Sequence, residues 1–246
     1  TPILQSEYLG GDVFIGNPDL QTSSLKNYDL RLDYTPYAGS LFSVSWFHKK
    51  VKDPIEYVQR VTASFDYTTA VNYPEGQMSG YELELRQDLA RFWENLQGVS
   101  VGGNATLIDS EVTLPPDEAE RFNHPNVRAP MTKRDMTNAP AYLYNIYLTY
   151  DVPEVKTQLA LFYTVRGDTL VAGASPGAGQ TRVLIPSLYE TEYGTLNFSL
   201  TQPLGSIWKL KFQAKNLLDP EIKTVYRSKY IGEDVTKSSY RKGMEF

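Results

Sequence analysis

Apolar and polar residues alternate with a period of two along eight stretches of the chain, the pattern of strands that turn one face to an apolar phase and the other to water. The clearest case runs from 193 to 218. Leu196, Phe198 and Leu200 alternate with Asn197, Ser199 and Thr201, and Trp208, Leu210, Phe212 and Ala214 alternate with Lys209, Lys211, Gln213 and Lys215. Between them Pro203-Leu204-Gly205-Ser206 offers a fixed φ and a permissive glycine, which predicts a tight antiparallel hairpin. The same alternation predicts strands over 28–34, 42–47, 80–86, 99–108, 142–150 and 157–165.

The predicted connections sort by length. Short ones at 36–40, 93–95, 151–154 and 203–206 alternate with long ones at 52–77, 109–139, 166–189 and 218–239. A barrel threaded through an outer membrane has short turns on one side and long loops on the other, whereas a soluble sandwich has no reason to sort them. The expected fold is therefore all-β, an antiparallel up-and-down transmembrane β-barrel. Leu30, Trp46, Leu83, Val101, Leu148, Leu161, Phe198 and Leu210 should face lipid. Glu82, Glu84, Arg86, Lys209, Lys211 and Lys215 should face a wet interior.

Composition fits this pattern. A mean hydropathy of -0.38 and the absence of any run near the ~20 apolar residues of a membrane helix exclude a helical membrane protein, but not a barrel, whose interior and loops are polar. Tyrosine, at 18 residues, suits interfacial belts. The opening residues TPILQSEYLGGDVF lack the basic and apolar regions of a signal peptide. With no cysteine there are no disulfides or thiolate metal sites, and a net charge of -5 argues against nucleic acid as a partner.

Successive motifs resemble the C-terminal barrel of TonB-dependent outer-membrane receptors. They are Ile15-Gly16-Asn17-Pro18-Asp19-Leu20, Asn27-Tyr28-Asp29-Leu30, Phe47-His48-Lys49-Lys50-Val51-Lys52-Asp53-Pro54-Ile55 and Gly80-Tyr81-Glu82-Leu83-Glu84-Leu85. Asn104-Ala105-Thr106, Asn138-Ala139-Pro140 and Asn216-Leu217-Leu218-Asp219 follow in the family's order. The resemblance implies a barrel of about 22 strands around an N-terminal plug that binds substrate and carries the segment touching the coupling protein TonB; this chain corresponds to about the last nine strands. Residues 1–246 are thus expected to be the C-terminal portion of the barrel, without plug or earlier strands. Tyr240-Arg241-Lys242-Gly243-Met244-Glu245-Phe246 resembles the opening of the family's last strand.

The function so implied is uptake across a Gram-negative outer membrane of a bulky, scarce nutrient, such as a ferric siderophore, another metal chelate or an oligosaccharide. Partners would be that ligand, TonB through the plug, and outer-membrane lipid with lipopolysaccharide. Loop residues Tyr57, Tyr67, Tyr73, Arg128, Arg134, Arg166, Tyr189, Tyr226 and Arg227 offer stacking faces and guanidinium forks for an anionic or aromatic ligand, and His124 could touch a metal chelate. The same side chains would suit lipopolysaccharide contact or an aromatic belt.

Two histidines, no cysteine and no G-x-S-x-G spacing leave catalysis without support, and no cofactor or metal cluster is expected. His48 and His124 read as solvated imidazoles, and Glu82 and Glu84 as ion-pairing partners of Arg86. A self-contained small barrel acting as an adhesin or lipid-modifying enzyme would share the loop pattern, and a soluble β-sandwich is the remaining alternative.

Overall fold

The computed structural model describes residues 13–62, 65–177, 184–230 and 232–246. Residues 1–12 of the opening stretch, and 178–183 within the expected 166–189 loop, lie outside the described residues. In chain order the strands begin with β1 (Phe14–Ile15), β2 (Ser24–Tyr34), β3 (Ser40–Lys52), β4 (Ile55–Val61), β5 (Asp66–Asn72), β6 (Glu75–Asp88) and β7 (Val99–Thr113). A short helix, α1 (Pro116–Phe122), precedes β8 (Lys133–Arg134), β9 (Tyr142–Val152), β10 (Thr157–Arg166), β11 (Thr169–Ala172) and β12 (Ser187–Glu190). The rest are β13 (Tyr193–Leu204), β14 (Trp208–Ala214), β15 (Ile222–Arg227) and β16 (Val235–Tyr240).

The alternating segments form one antiparallel sheet in the order β14-β13-β10-β9-β7-β6-β3-β2, with β8 added at the end of β7. Consecutive long strands pair, as in an up-and-down barrel wall, and β2 and β14 form the two edges rather than pairing with each other. The open sheet expected of part of a larger barrel is what forms. A small closed ring is not.

Register places all eight expected lipid-facing residues on one face. Leu161 sits opposite both Leu148 and Phe198, Leu148 opposite Val101, Trp46 opposite Leu30, and Leu83 opposite Val44. Leu210 lies four residues from Ala214, which opposes Phe198. This outer face is bare: Leu30 and Leu32 retain 70% and 74% of their surface, whereas in a soluble sandwich a second sheet would cover them. Along β9 the outward residues Tyr142, Tyr144, Ile146, Leu148 and Tyr150 span roughly 27 Å of strand, so at barrel tilt they match an apolar band about 20–25 Å tall.

Four strands, β2, β3, β6 and β7, run further toward the long connections than alternation predicts. The sequence pattern ends where the two faces exchange character, at the cross-strand row Phe47–Gly80–Ile108. Toward the short turns the outer face is Trp46, Tyr81 and Leu107, and the inner face Ser45, Glu82 and Thr106. Beyond the row the outer positions become His48, Lys50, Gln77, Asp109 and Glu111, while Val51, Met78 and Val112 turn inward. Hydrogen bonding continues unbroken through this change, so β3, β6 and β7 reach Lys52, Glu75 and Thr113.

The long connections, expected as loops, carry structure of their own. Residues in 52–77 fold into the β4–β5 hairpin, which joins β1 in a three-stranded sheet. Strands β11, β12, β15 and β16, from 166–189 and 218–239, form a four-stranded sheet. Segment 109–139 supplies α1 and β8. These segments lack a repeating period because they are buried on each other rather than on a lipid plane. Val58, Tyr73, Val112, Leu114, Phe122, Val127 and Met136 form their core, with Val51 and Met78 of the main sheet packed against it. The expected turn at 203–206 is also displaced, since Pro203 pairs with Lys209 and Leu204 with Trp208, which leaves Gly205 (φ 72°), Ser206 and Ile207 as the connection.

The motif Asn216-Leu217-Leu218-Asp219 has a definite task. Asn216 Nδ2 donates to the Gly243 carbonyl at 2.7 Å, Asp219 Oδ1 accepts from the Gly243 N–H at 2.9 Å, and Lys215 bridges to Glu245. The chain after β16 is thereby held beside β14.

Candidate functional site

The loop core is organised around charges that are almost wholly buried. Ile55–Val61 alternates so that Glu56 and Val58 turn into the core, and Glu56 meets Arg134 of β8, Oε2 to Nη1 at 2.7 Å, with 1% and 6% of the two side chains exposed. The same Glu56 oxygen accepts the Thr137 N–H at 3.0 Å. Burial pushes the Glu56 carboxyl up, against the opposing positive charge of Arg134. The Arg134 guanidinium carbon lies 4.9 Å from the Tyr73 ring centre, a cation–π contact, and its buried Nη2 has no hydrogen bond. Gly173 permits this packing: a Cβ there would stand 2.6 Å from Arg134 Nε.

Helix α1 continues the network. Its Glu118 accepts from the Tyr73 hydroxyl at 2.5 Å and pairs with Arg60 at 3.1 Å, while Phe122 fills the core one turn on. Burial raises the Tyr73 phenol out of titration range. A second set joins the four-stranded sheet to the same region. Arg227 holds Asp168 at 2.7 Å and Asp234 at 2.6 Å, and lies 4.8 Å above the Tyr189 ring. The Tyr189 hydroxyl in turn donates to Asp135 at 3.1 Å, and burial raises its pKa.

The ten sequence candidates therefore separate. Tyr73 and Arg134 are buried in the loop core, and Tyr189 and Arg227 hold one another as structural partners. Arg166 pairs with Glu190 at 3.3 Å. Tyr57 packs edge-on against Phe14 at 5.9 Å. His124 accepts from the Asn126 N–H at 3.2 Å, and Arg128 is exposed at a φ of 52°. Among the described residues, Tyr67 and Tyr226 meet around an opening, a pocket of about 160 Å³ shared with Gln59, Asp66 and Lys237 between the two small sheets, and Arg134 also lines a separate opening with Asp109 and Asp135. Lys237 also lies 5.6 Å over the Tyr226 ring.

Sequence reasoning missed Glu56, Arg60 and Glu118. Glu118 hides in the charged run Asp117-Glu118-Ala119-Glu120, which reads as solvated, and only the helical turn to Phe122 would have marked one of its carboxylates as inward. On the sheet, Glu84 does pair ionically, with Arg31 at 2.9 Å and Arg86 at 3.9 Å, as expected of the wet face. His48 is not free: it stacks on Trp46 and meets Ser79 at 2.7 Å. Among the described residues no three His, Asp or Glu side chains converge as metal ligands.

A one-layer antiparallel sheet, apolar on its outer face and polar on the inner, with the long connections folded against its inner side, defines the wall of a membrane β-barrel with packed loops. Residues 1–217 match the model of the family described as TonB dependent receptor-like, beta-barrel, and the chain belongs to that family. No curated protein matches it.

Solved structures share the fold. The ferric enterobactin receptor PfeA of Pseudomonas aeruginosa is 17% identical, with a TM-score of 0.53 over 85% of this chain and 28% of that one. The ferric yersiniabactin uptake receptor FyuA of Yersinia pestis is 19% identical, with a TM-score of 0.52 over 87% of this chain and 28% of that one. The copper transporter OprC is 14% identical, with a TM-score of 0.55 over 84% and 28%. The chain spans little more than a quarter of the length of these proteins.

Proposed function

We propose that residues 1–246 are the C-terminal portion of the barrel of an outer-membrane receptor that takes up a bulky, scarce nutrient, with energy delivered by TonB to a plug elsewhere in the protein. The observation that carries this reading is the open sheet itself. It has an apolar band outside, Arg31, Glu82 and Glu84 on the inner face, and two unpaired edge strands that lipid would tolerate only if further strands covered them. The self-contained small barrel is disfavoured by those same edges.

A metal chelate is the favoured nutrient class, because the similar structures are named as receptors or transporters for ferric enterobactin, ferric yersiniabactin and copper. The ligand would enter from the side of the long connections, over the loop core, and the pocket between Tyr67 and Tyr226 is an opening there that combines rings with a cation. Outer-membrane location and partnership with TonB follow from the same reading.

Uptake by cells lacking and regaining the full-length gene tests it, using radiolabelled ferric siderophores, a copper salt and oligosaccharides with and without the membrane potential. Potential-dependent accumulation of one metal chelate is expected. Accumulation only of a sugar would replace the nutrient class, and equal uptake of every ligand without the gene would overturn transport.

A further inference from the structure

One hydrogen bond on the outer face joins a base to a hydroxyl. His48 of β3 and Ser79 of β6 lie directly opposite one another, and His48 Nδ1 is 2.7 Å from Ser79 Oγ. With the ring hydrogen on Nε2, Nδ1 accepts the Ser79 O–H, which is the spacing of a serine nucleophile and its general base. Among the described residues no carboxylate pairs with the imidazole. Its plane is set by stacking instead, 7° from the Trp46 ring at 6.1 Å and 25° from the Tyr28 ring at 6.4 Å.

The surroundings fit an ester. The pair occupies the first outer row beyond the exchange at Phe47–Gly80–Ile108, with Trp46 and Tyr81 on its apolar side, so it stands where the lipid-facing band meets water. Both side chains are half-buried, and Ser79 lines an opening of about 300 Å³ with Asp109, Glu111, Lys133 and Asp135. Tyr81 and Leu83 continue from Ser79 along the same face of β6 and offer an apolar surface to an acyl chain. Lys133, 2.7 Å from Glu111, is the cation a developing oxyanion would meet, because Arg134, which also lines the opening, is held by Glu56. Three carboxylates leave the opening net acidic, which disfavours an anionic alcohol group and helps to expel a carboxylate product.

We propose that Ser79 and His48 form a nucleophile–base pair that hydrolyses neutral or cationic carboxylic esters with an apolar acyl chain at the membrane surface. The site rests on the membrane reading given above. Ser79 Oγ bonds to the acyl carbon as its proton passes to His48 Nδ1; the ester C–O bond then breaks and the leaving alcohol takes that proton. Water attacks the acyl-serine and gives a proton to His48, and the carboxylic acid departs as Ser79 recovers the proton.

The test uses the full-length protein in nanodiscs, with an alkyl fluorophosphonate as covalent probe and p-nitrophenyl octanoate as substrate. Peptide mass spectrometry locates the adduct, and heat-modifiable electrophoretic mobility reads the inserted barrel. An adduct on Ser79 and steady ester turnover are expected, and S79A should lose both. H48F keeps a ring in the stack but removes the base, and should slow labelling by about 100-fold or more. An ester with a carboxylate on its alcohol group should turn over more slowly than the neutral one. Inserted native protein without a Ser79 adduct, labelling unchanged in H48F, or turnover that survives S79A overturns the site, and faster turnover of the anionic ester overturns the substrate class. Protein that never inserts overturns the membrane reading, whereas inserted protein with an unreactive Ser79 overturns this site alone.

Discussion

The middle of the sheet and its loop end are built from the same strands with opposite polarity. In the middle, β3 and β6 show Val44, Trp46, Tyr81 and Leu83 outward and Ser43, Ser45, Glu82 and Glu84 inward. A few residues on, they show Lys50, Lys52, Glu75 and Gln77 outward and bury Val51 and Met78 inward. The solvent on the outer side decides this. Where lipid surrounds the wall, burial means facing out, and where water does, burial means facing in. One backbone register serves both regions, and the crossover falls on the single row Phe47–Gly80–Ile108.

The largest expected effect lies at the loop end. Glu56→Ala would strand the buried Arg134 charge, and breaking such a pair costs about 3–5 kcal/mol. Hydrogen exchange should show β4, β5 and β8 losing protection while β9, β10 and β13 keep theirs. Loss of protection throughout the sheet would mean that the two regions are not separable.

Next come substitutions at mid-membrane. Phe198→Arg places a charge on the lipid face at a cost of roughly 2–4 kcal/mol, while Asn197→Arg adds it to the wet face at the smaller cost, about 1 kcal/mol, of the hydrogen bond that Asn197 Oδ1 accepts from the Asn216 N–H. Folding yield into lipid vesicles should fall further for position 198. Equal yields would remove the polarity assigned to the middle region.

The crossover row is tested by Gly80→Ala. A Cβ at Gly80 would stand 2.2 Å from the Leu107 carbonyl oxygen and 2.4 Å from Phe47 Cζ. Overpacking of this kind costs about 1–3 kcal/mol, and truncating the ring in a Phe47→Ala background should recover the part due to Phe47 but not the part due to the backbone oxygen. Full recovery, measured by urea unfolding in vesicles, would show that the strands at the row are free to shift.

The smallest effect is electrostatic and exposed. The Arg227 hydrogen bonds hold the Asp234 carboxyl below the usual carboxylate range. A depressed pKa stabilises above the unfolded value and loses that contribution as pH falls through the folded one. Acidification below the ordinary carboxylate range should therefore loosen β15–β16 first, seen as faster amide exchange in Val235–Tyr240. Asp234→Asn should reduce that pH dependence to the part due to Glu221, whose carboxyl is held low by its hydrogen bond to Ser239 of β16.

How much of this was legible in the sequence follows the same division. Alternation located all eight wall strands and placed Leu30, Trp46, Leu83, Val101, Leu148, Leu161, Phe198 and Leu210 on a common face, because a lipid plane imposes one repeating phase on every strand. It stopped at His48, Gly80 and Ile108, since the phase reverses there although pairing continues. The loop core left no period, because Val58, Tyr73, Phe122 and Met136 come from separate segments and meet only in three dimensions. For the same reason Tyr73 and Arg134, singled out as ligand contacts by residue type and loop position, proved to be buried against Glu118 and Glu56.

The exchange of faces is tested most directly by a cysteine scan of β6 in the full-length protein, with one nitroxide label at a time and collision accessibility to oxygen and to a water-soluble nickel chelate. Positions 81, 83 and 85 should favour oxygen, as lipid-facing labels do, and 75, 77 and 79 should favour the nickel chelate, with 76 and 78 shielded from both. A constant phase along the strand, with 77 and 79 as oxygen-accessible as 83, would contradict the crossover at Gly80.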